Sequence, residues 1–266
     1  MRVNRMSRFS PYVVVPLVVF AILSRMAVVA HAEDSERRIG ADVYRELQAK
    51  GEIIDQSSPL YTALRPTARR IANVANRQYE YPFRFVLVRQ KQPNAFAVPG
   101  GNVYISDSLM RFVRYREALA AVLCHETAHT IHHDVTNLIR KNQNTNLAAR
   151  ALAILLGSKS GSLTDYGIGV LANLQSLSFS RDVERTADLK GADTCAEANS
   201  NPWGLVKLIE AFGKSNAGGK LEMLSDHPRD DHRISDLEAH FRNHPERFTR
   251  FKRDSAWSTP LNISRR

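Results

Sequence analysis

The stretch Glu117 to Asp134 reads EALAAVLCHETAHTIHHD and carries His125, Glu126 and His129 in the spacing H-E-x-x-H. On an α-helix, residues four apart stand one turn apart on the same face, so both imidazoles can reach one metal ion. Glu126 lies beside the pair, where it can polarise a water in an open coordination position. That arrangement belongs to a metal-dependent peptidase rather than to a structural zinc site. Ala118, Leu119, Ala120, Val122, Leu123 and Ala128 favour a helix with a buried face, and no Gly or Pro interrupts the run. A metal grip on a buried helix demands a third ligand from elsewhere in the chain and a core on both sides of the helix.

With 266 residues, 43% hydrophobic and 24% charged, the chain has an ordinary globular composition and is long enough for one substantial domain. Residues 1–32 stand apart. Arg2, Arg5 and Arg8 precede an apolar run from Pro11 to Leu23, and Ala30-His31-Ala32 makes a small-x-small site before Glu33. This pattern predicts a cleaved secretory signal peptide and an exported protein. The alternative is an uncleaved inner-membrane anchor, but Arg25 closes the apolar run well short of the roughly 20 residues that span a bilayer.

The formal charge is +10, and removing the four arginines of residues 1–32 leaves 33 basic against 27 acidic residues. Much of this mild excess sits beyond Arg242, which suits a solvated basic tail over residues 244–266 rather than a nucleic-acid surface. Weak peripheral attraction to an anionic membrane is compatible with it. Cys124 adjoins His125, and Cys195 lies 11 residues beyond Glu184, roughly 16 Å along a continuous helix. A disulfide needs Cα atoms within about 7 Å, so two buried thiols are expected instead.

Ile39, Val43, Tyr44 and Leu47 form a first amphipathic helix closed by Gly51, and a second runs from Leu60 to about Asn76, with Pro66 as a kink or its true start. The period then changes. Residues 83–89, Ala95 to Val98 and Asn102 to Ser106 read as three strands around Pro99-Gly100-Gly101, a small sheet whose edge could pair with an extended peptide. Between Val135 and Leu177 the composition suggests a helix over 147–156, a loop over 157–161 and a weak helix over 166–177, in plain packing, a flap or a membrane-facing hairpin.

The second chemical motif, Ser180-Arg181-Asp182-Val183-Glu184-Arg185-Thr186-Ala187-Asp188, offers Glu184 as third ligand. Asp188, one helical turn on, can accept a hydrogen bond from the outer nitrogen of a ligand histidine, His125 being the candidate. The alternative H-E-x-x-H-x-x-G-x-x-H pattern would need Gly at 132 and His at 135, where this chain has His132 and Val135. His132 and His133 are therefore read as surface or outer-sphere residues.

Taken together, Asn94-Ala95-Phe96-Ala97-Val98-Pro99-Gly100-Gly101, the helix ending in H-E-T-A-H, S-R-D-V-E-R-T-A-D, and His227-Pro228 followed by Arg233-Ile234 resemble the zinc peptidases of family M48 over about residues 40–243. The likeness is to its soluble periplasmic members, without the helical-repeat domain some of them carry. The resemblance implies a mainly helical α+β domain of the gluzincin type over residues 33–243. It implies one zinc per chain on His125, His129 and Glu184, Glu126 as general base and acid, and Asp188 as support. The strand after Pro99-Gly100-Gly101 would line the substrate groove.

His227 and Arg233 could be no more than a cap and a surface charge. The resemblance instead has His227 facing the zinc, to stabilise an oxyanion or to occupy the open position in a closed form, with Arg233 supporting it. Two departures stand out: Asp226 where relatives usually have Thr, and Asn199-Ser200-Asn201-Pro202 in place of a glycine-containing turn. The implied activity is a metalloendopeptidase acting on misfolded or misassembled envelope polypeptides, with no nucleic-acid partner. The rival is an envelope chaperone or assembly factor whose zinc site His227 keeps closed.

Overall fold

The computed structural model describes residues 36–141, 178–214, 227 and 232–263. The expected signal segment and the helices expected within 147–177 lie outside those residues, as does Asp226. Among the described residues no helix is long and apolar enough to cross a membrane.

Helix α1 covers residues 36–49. Helix α2, Pro59–Ala75, opens with Pro59 behind the Ser58 cap and passes through Pro66 without a break. Strands β1 (Arg84–Val88), β2 (Ala95–Val98) and β3 (Asn102–Ser106) follow, then short α3 (Asp107–Phe112), α4 (Arg116–Ile131) and α5 (Asp134–Lys141). The second part holds α6 (Arg181–Glu197), α7 (Trp203–Lys214), α8 (His232–Asn243) and short α9 (Pro245–Phe248). The fold is mainly helical α+β.

The sheet order is β1-β3-β2, with β1 parallel and β2 antiparallel to β3. Alternation sends Leu87, Val103 and Ile105 into the main core against α2 and α4, and Val86, Val88 and Tyr104 toward Ile39, Val43 and Leu47 of α1 and Val135 and Ile139 of α5. With both faces covered, the strands read as nearly continuous apolar runs. The strand after Pro99-Gly100-Gly101, expected to line a groove, is β3, the central strand with partners on both sides. The outer side of β1 is bonded to residues 52–54, through Ile54 N–H to Leu87 O and Arg89 N–H to Glu52 O. Among the described residues, the strand with one partner is therefore β2. Because Ser106 N–H bonds Asn94 O, pairs alternate so that the main chain of Ala95 and Ala97 points away from β3.

Helix α4 is the centre of the molecule: every residue from Ala118 to Thr130 is buried. A helix enclosed all round needs no polar face. Its closest neighbour is α6, which crosses it at Gly191. A Cβ there would lie 3.2 Å from the Cys124 backbone and the His125 Cα.

This crossing corrects the expectation of free thiols. Cys124 and Cys195 are disulfide-bonded, with Cα atoms 5.8 Å apart. The length of α6 between Glu184 and Cys195 does not keep the thiols apart, because Glu184 meets the histidines through its side chain. The helix backbones converge at Gly191, one turn before Cys195.

The C-terminal residues are a second correction. Where a frayed tail was expected, Phe248, Ala256 and Leu261 are buried, and Trp257 stacks on Tyr115. Arg116 N–H bonds Thr259 O and Leu261 N–H bonds Arg114 O, clipping the segment to the start of α4. Arg247 pairs with Asp193 at 2.8 Å, Arg253 pairs with Glu238 and Glu210, and Arg250 donates to Ala196 O. The apolar residues lack periodicity because the segment is irregular, which is why the sequence reads as a loose tail.

Candidate metal centre

Helix α4 presents His125, Glu126 and His129, and α6, capped by Ser180, presents Glu184 and Asp188 in its first two turns. All five are buried, and His227 joins them. The two Nε2 atoms of His125 and His129 face each other at 3.1 Å. Glu184 places Oε2 3.5 Å from His125 Nε2 and Oε1 3.5 Å from His129 Nε2. A tetrahedron of donors about 2.0–2.1 Å from one zinc ion has edges of roughly 3.4 Å, so these spacings suit such an ion.

The carboxylates behind the two rings point the same way. His125 Nδ1 lies 3.1 Å from Asp188 Oδ1, and His129 Nδ1 lies 2.8 Å from Asp134 Oδ2. A carboxylate partner at Nδ1 holds the proton there and leaves Nε2 as a lone pair. Two converging lone pairs beside the buried Glu184 carboxylate form a donor set for a cation. Four carboxylates, Glu126, Asp134, Glu184 and Asp188, surround the two histidines. The guanidinium among them is Arg233, which donates from Nε and an Nη to Asp188 at 2.6 and 2.8 Å and lies 3.1 Å from Glu184 Oε2. The donor set fits a zinc-like divalent ion.

Arg233, expected to support His227, contacts Asp188 and Glu184, and Glu184 is the carboxylate that His227 itself meets. His227 Nδ1 lies 3.2 Å from His125 Nε2 and 2.7 Å from Glu184 Oε1, and its Nε2 lies 3.5 Å from Glu126 Oε1. The ring therefore spans the space between the donor cluster and Glu126. Phe179 stacks on His129 with centroids 4.4 Å apart, walling the site. Phe179 and Asp134 escaped the sequence reading. Asp134 carried a signal, a carboxylate soon after the second histidine, but its use depends on a turn that the helical pattern hid. Asn199 sits at φ 51°, a conformation glycine takes easily and Asn tolerates best among other residues, so the Asn-Ser-Asn-Pro turn is compatible with the glycine it replaces.

Burial alone would lower the pKa of His125, but hydrogen bonding to Asp188 and Glu184 and their charges outweigh it and raise it to about 10. His129 is also raised, Asp134 and Glu184 overcoming its burial. Both acids are lowered despite burial, Glu184 by His227, His125 and His129, and Asp188 by Arg233 and His125. A metal-free site thus holds protons where the metal would bind. Stability from the raised histidines is complete below their unfolded value of about 6.5 and is lost as pH climbs toward 10. Metal affinity runs oppositely and strengthens with pH. Zinc binding at neutral pH should release on the order of one proton or more, measurable by titration calorimetry in buffers of different ionisation enthalpy. Heat independent of buffer would contradict this.

The sequence profile of peptidase family M48 matches residues 61–240. Over 217 residues, 77% of this chain and 60% of the relative, the chain is 29% identical to the mitochondrial metalloendopeptidase OMA1 of Schizosaccharomyces pombe. It is also 29% identical to the beta-barrel assembly-enhancing protease of Yersinia pestis, over 76% of this chain and 43% of that protein. The chain thus spans three fifths or less of these two curated relatives. With its family profile running from α2 through α8 and enclosing the whole histidine–carboxylate cluster, this chain belongs to peptidase family M48.

Proposed function

We propose that the protein is a zinc-dependent endopeptidase that hydrolyses polypeptides of the cell envelope, misfolded or misassembled ones in particular. The observation that carries the reading is the convergence of His125 Nε2, His129 Nε2 and Glu184 on one point, with the buried Glu126 carboxylate alongside. Zinc held by these three residues would supply a Lewis acid and an activated water. Glu126 takes the proton of the attacking water and passes it to the leaving amine. Asp188 keeps His125 in the Nδ1–H form, and Arg233 holds Asp188 and Glu184 in place. An extended substrate would lie along β2, where Ala95 and Ala97 offer main-chain groups not used inside the sheet. The envelope substrate class rests on the apolar, arginine-led N-terminal segment and on a relative named for enhancing beta-barrel assembly. The Cys124–Cys195 disulfide suits the oxidising compartment that export implies.

The position of His227 favours a gated form of this enzyme. Its ring fills the space between Glu184 and Glu126, at 2.7 Å from Glu184 Oε1 and 3.5 Å from Glu126 Oε1. The same observation supports the rival reading, an assembly factor that binds clients with its site closed. The test is cleavage of casein by the purified protein, with zinc content measured before and after chelation. Activity should disappear with zinc and return on adding it, and His227→Ala should raise the rate by about tenfold or more, as removing a closed state restores the competent fraction. Zinc-loaded protein and His227→Ala that both leave casein intact would favour the assembly factor.

A further inference from the structure

Five residues past His129, a continuous helix would carry Asp134 roughly 140° around the axis and away from the imidazole. Yet Asp134 Oδ2 accepts a hydrogen bond from His129 Nδ1 at 2.8 Å. The return is made at His132 and His133, where α4 ends. His133 has φ 54°, the left-handed region, uncommon for a residue with a side chain. Helix α5 starts afresh at Asp134, with Asn137 N–H bonded to His133 O.

That turn is gripped from outside the metal helix. His133 Nδ1 donates to Glu36 Oε1 at 2.8 Å, and the Thr136 hydroxyl donates to the same oxygen at 2.6 Å. Tyr79 donates its hydroxyl to Glu36 Oε2 at 2.5 Å and itself accepts from Gly100 N–H at 3.0 Å. Glu36 belongs to α1 and is only 4% exposed. Its carboxylate therefore binds the chain on both sides of Asp134, at 133 and 136, and ties that turn to the β2–β3 turn through Tyr79. Glu36, Glu80 and His133 lie close enough to touch one ion, but three donors already occupy the Glu36 oxygens, so the cluster serves as a hydrogen-bond hub.

We propose that Asp134 is a positioning residue for His129, fixing its Nδ1–H tautomer so that Nε2 faces the metal, and that Glu36 sets the turn that delivers Asp134. The N-terminal helix is thereby part of the metal centre, although Glu36 touches none of the ligands. The inference rests on the reading of His129 as a zinc ligand.

The experiment measures zinc affinity of the full protein by chelator competition, the visible spectrum of its cobalt-substituted form, and thermal unfolding. The variants are Asp134→Asn, Glu36→Gln, the double variant, His133→Gly and His129→Ala. Asp134→Asn should weaken zinc binding about 10- to 100-fold and shift the cobalt spectrum, the loss typical of an outer-sphere carboxylate. Glu36→Gln should weaken it less. His133→Gly, which keeps the left-handed turn and removes one of its two bonds to Glu36, should weaken it no more than Glu36→Gln. The double variant should bind zinc no more weakly than Asp134→Asn alone, since both changes act through one contact. Wild-type affinity in Asp134→Asn would overturn the inference, and additive losses in the double variant would remove Glu36 from it. Undiminished zinc binding by His129→Ala would instead overturn the ligand reading beneath it.

Discussion

Replacing Glu126 by glutamine should lower casein cleavage by about 100- to 10,000-fold, the range for loss of a general acid–base group, with zinc content unchanged. Glutamine keeps the volume and the hydrogen-bonding reach of the glutamate, so α4 stays packed; it loses only the ability to accept and return a proton. Glu126 is 2% exposed and lies next to the donor cluster without belonging to the four groups that converge there. The four are His125, His129, Glu184 and His227. Cleavage rate and bound zinc should be read in the same samples. A glutamine variant that cleaves within a few fold of the wild type would sink the role. One that loses zinc together with activity would make Glu126 a support of the metal rather than the base.

Removing the Cys124–Cys195 bridge should cost about 4 kcal/mol of stability, from the closure of a loop with sequence separation 71. The bridge also links the two helices that carry the donor set, one residue before His125 on α4 and one turn past the Gly191 crossing on α6. Its loss frees α6, and with it Glu184 and Asp188, to drift from the histidines. The double variant Cys124→Ala, Cys195→Ala should therefore unfold at lower denaturant and also give up zinc to a chelator more readily. Reduced wild-type protein should behave the same way. If stability falls while zinc affinity holds, the bridge serves the fold alone; if neither changes, α4 and α6 are held by packing at Gly191 without it.

Much of the site was legible from local chemistry. H-E-x-x-H names His125, Glu126 and His129 because four residues make one helical turn, and E-x-x-x-D names Glu184 and Asp188 for the same reason. The three strands were legible from their change of period. Tertiary structure decided what depends on where helices cross and turn. The disulfide exists because Gly191 lets the α4 and α6 backbones approach, and a distance counted along one helix cannot show that. Arg233 reaches Asp188 and Glu184 because α8 lies against α6. Residues 245–261 are held because unpatterned Trp257 and Leu261 meet the start of α4 at Tyr115 and Arg114, and Phe248 packs on Phe241 of α8. Asp134 meets His129 because one left-handed histidine breaks the helix there. Periodicity reports which face of an element is buried; which elements meet is settled by close packing between segments far apart in the chain, and that is where the sequence by itself fell silent.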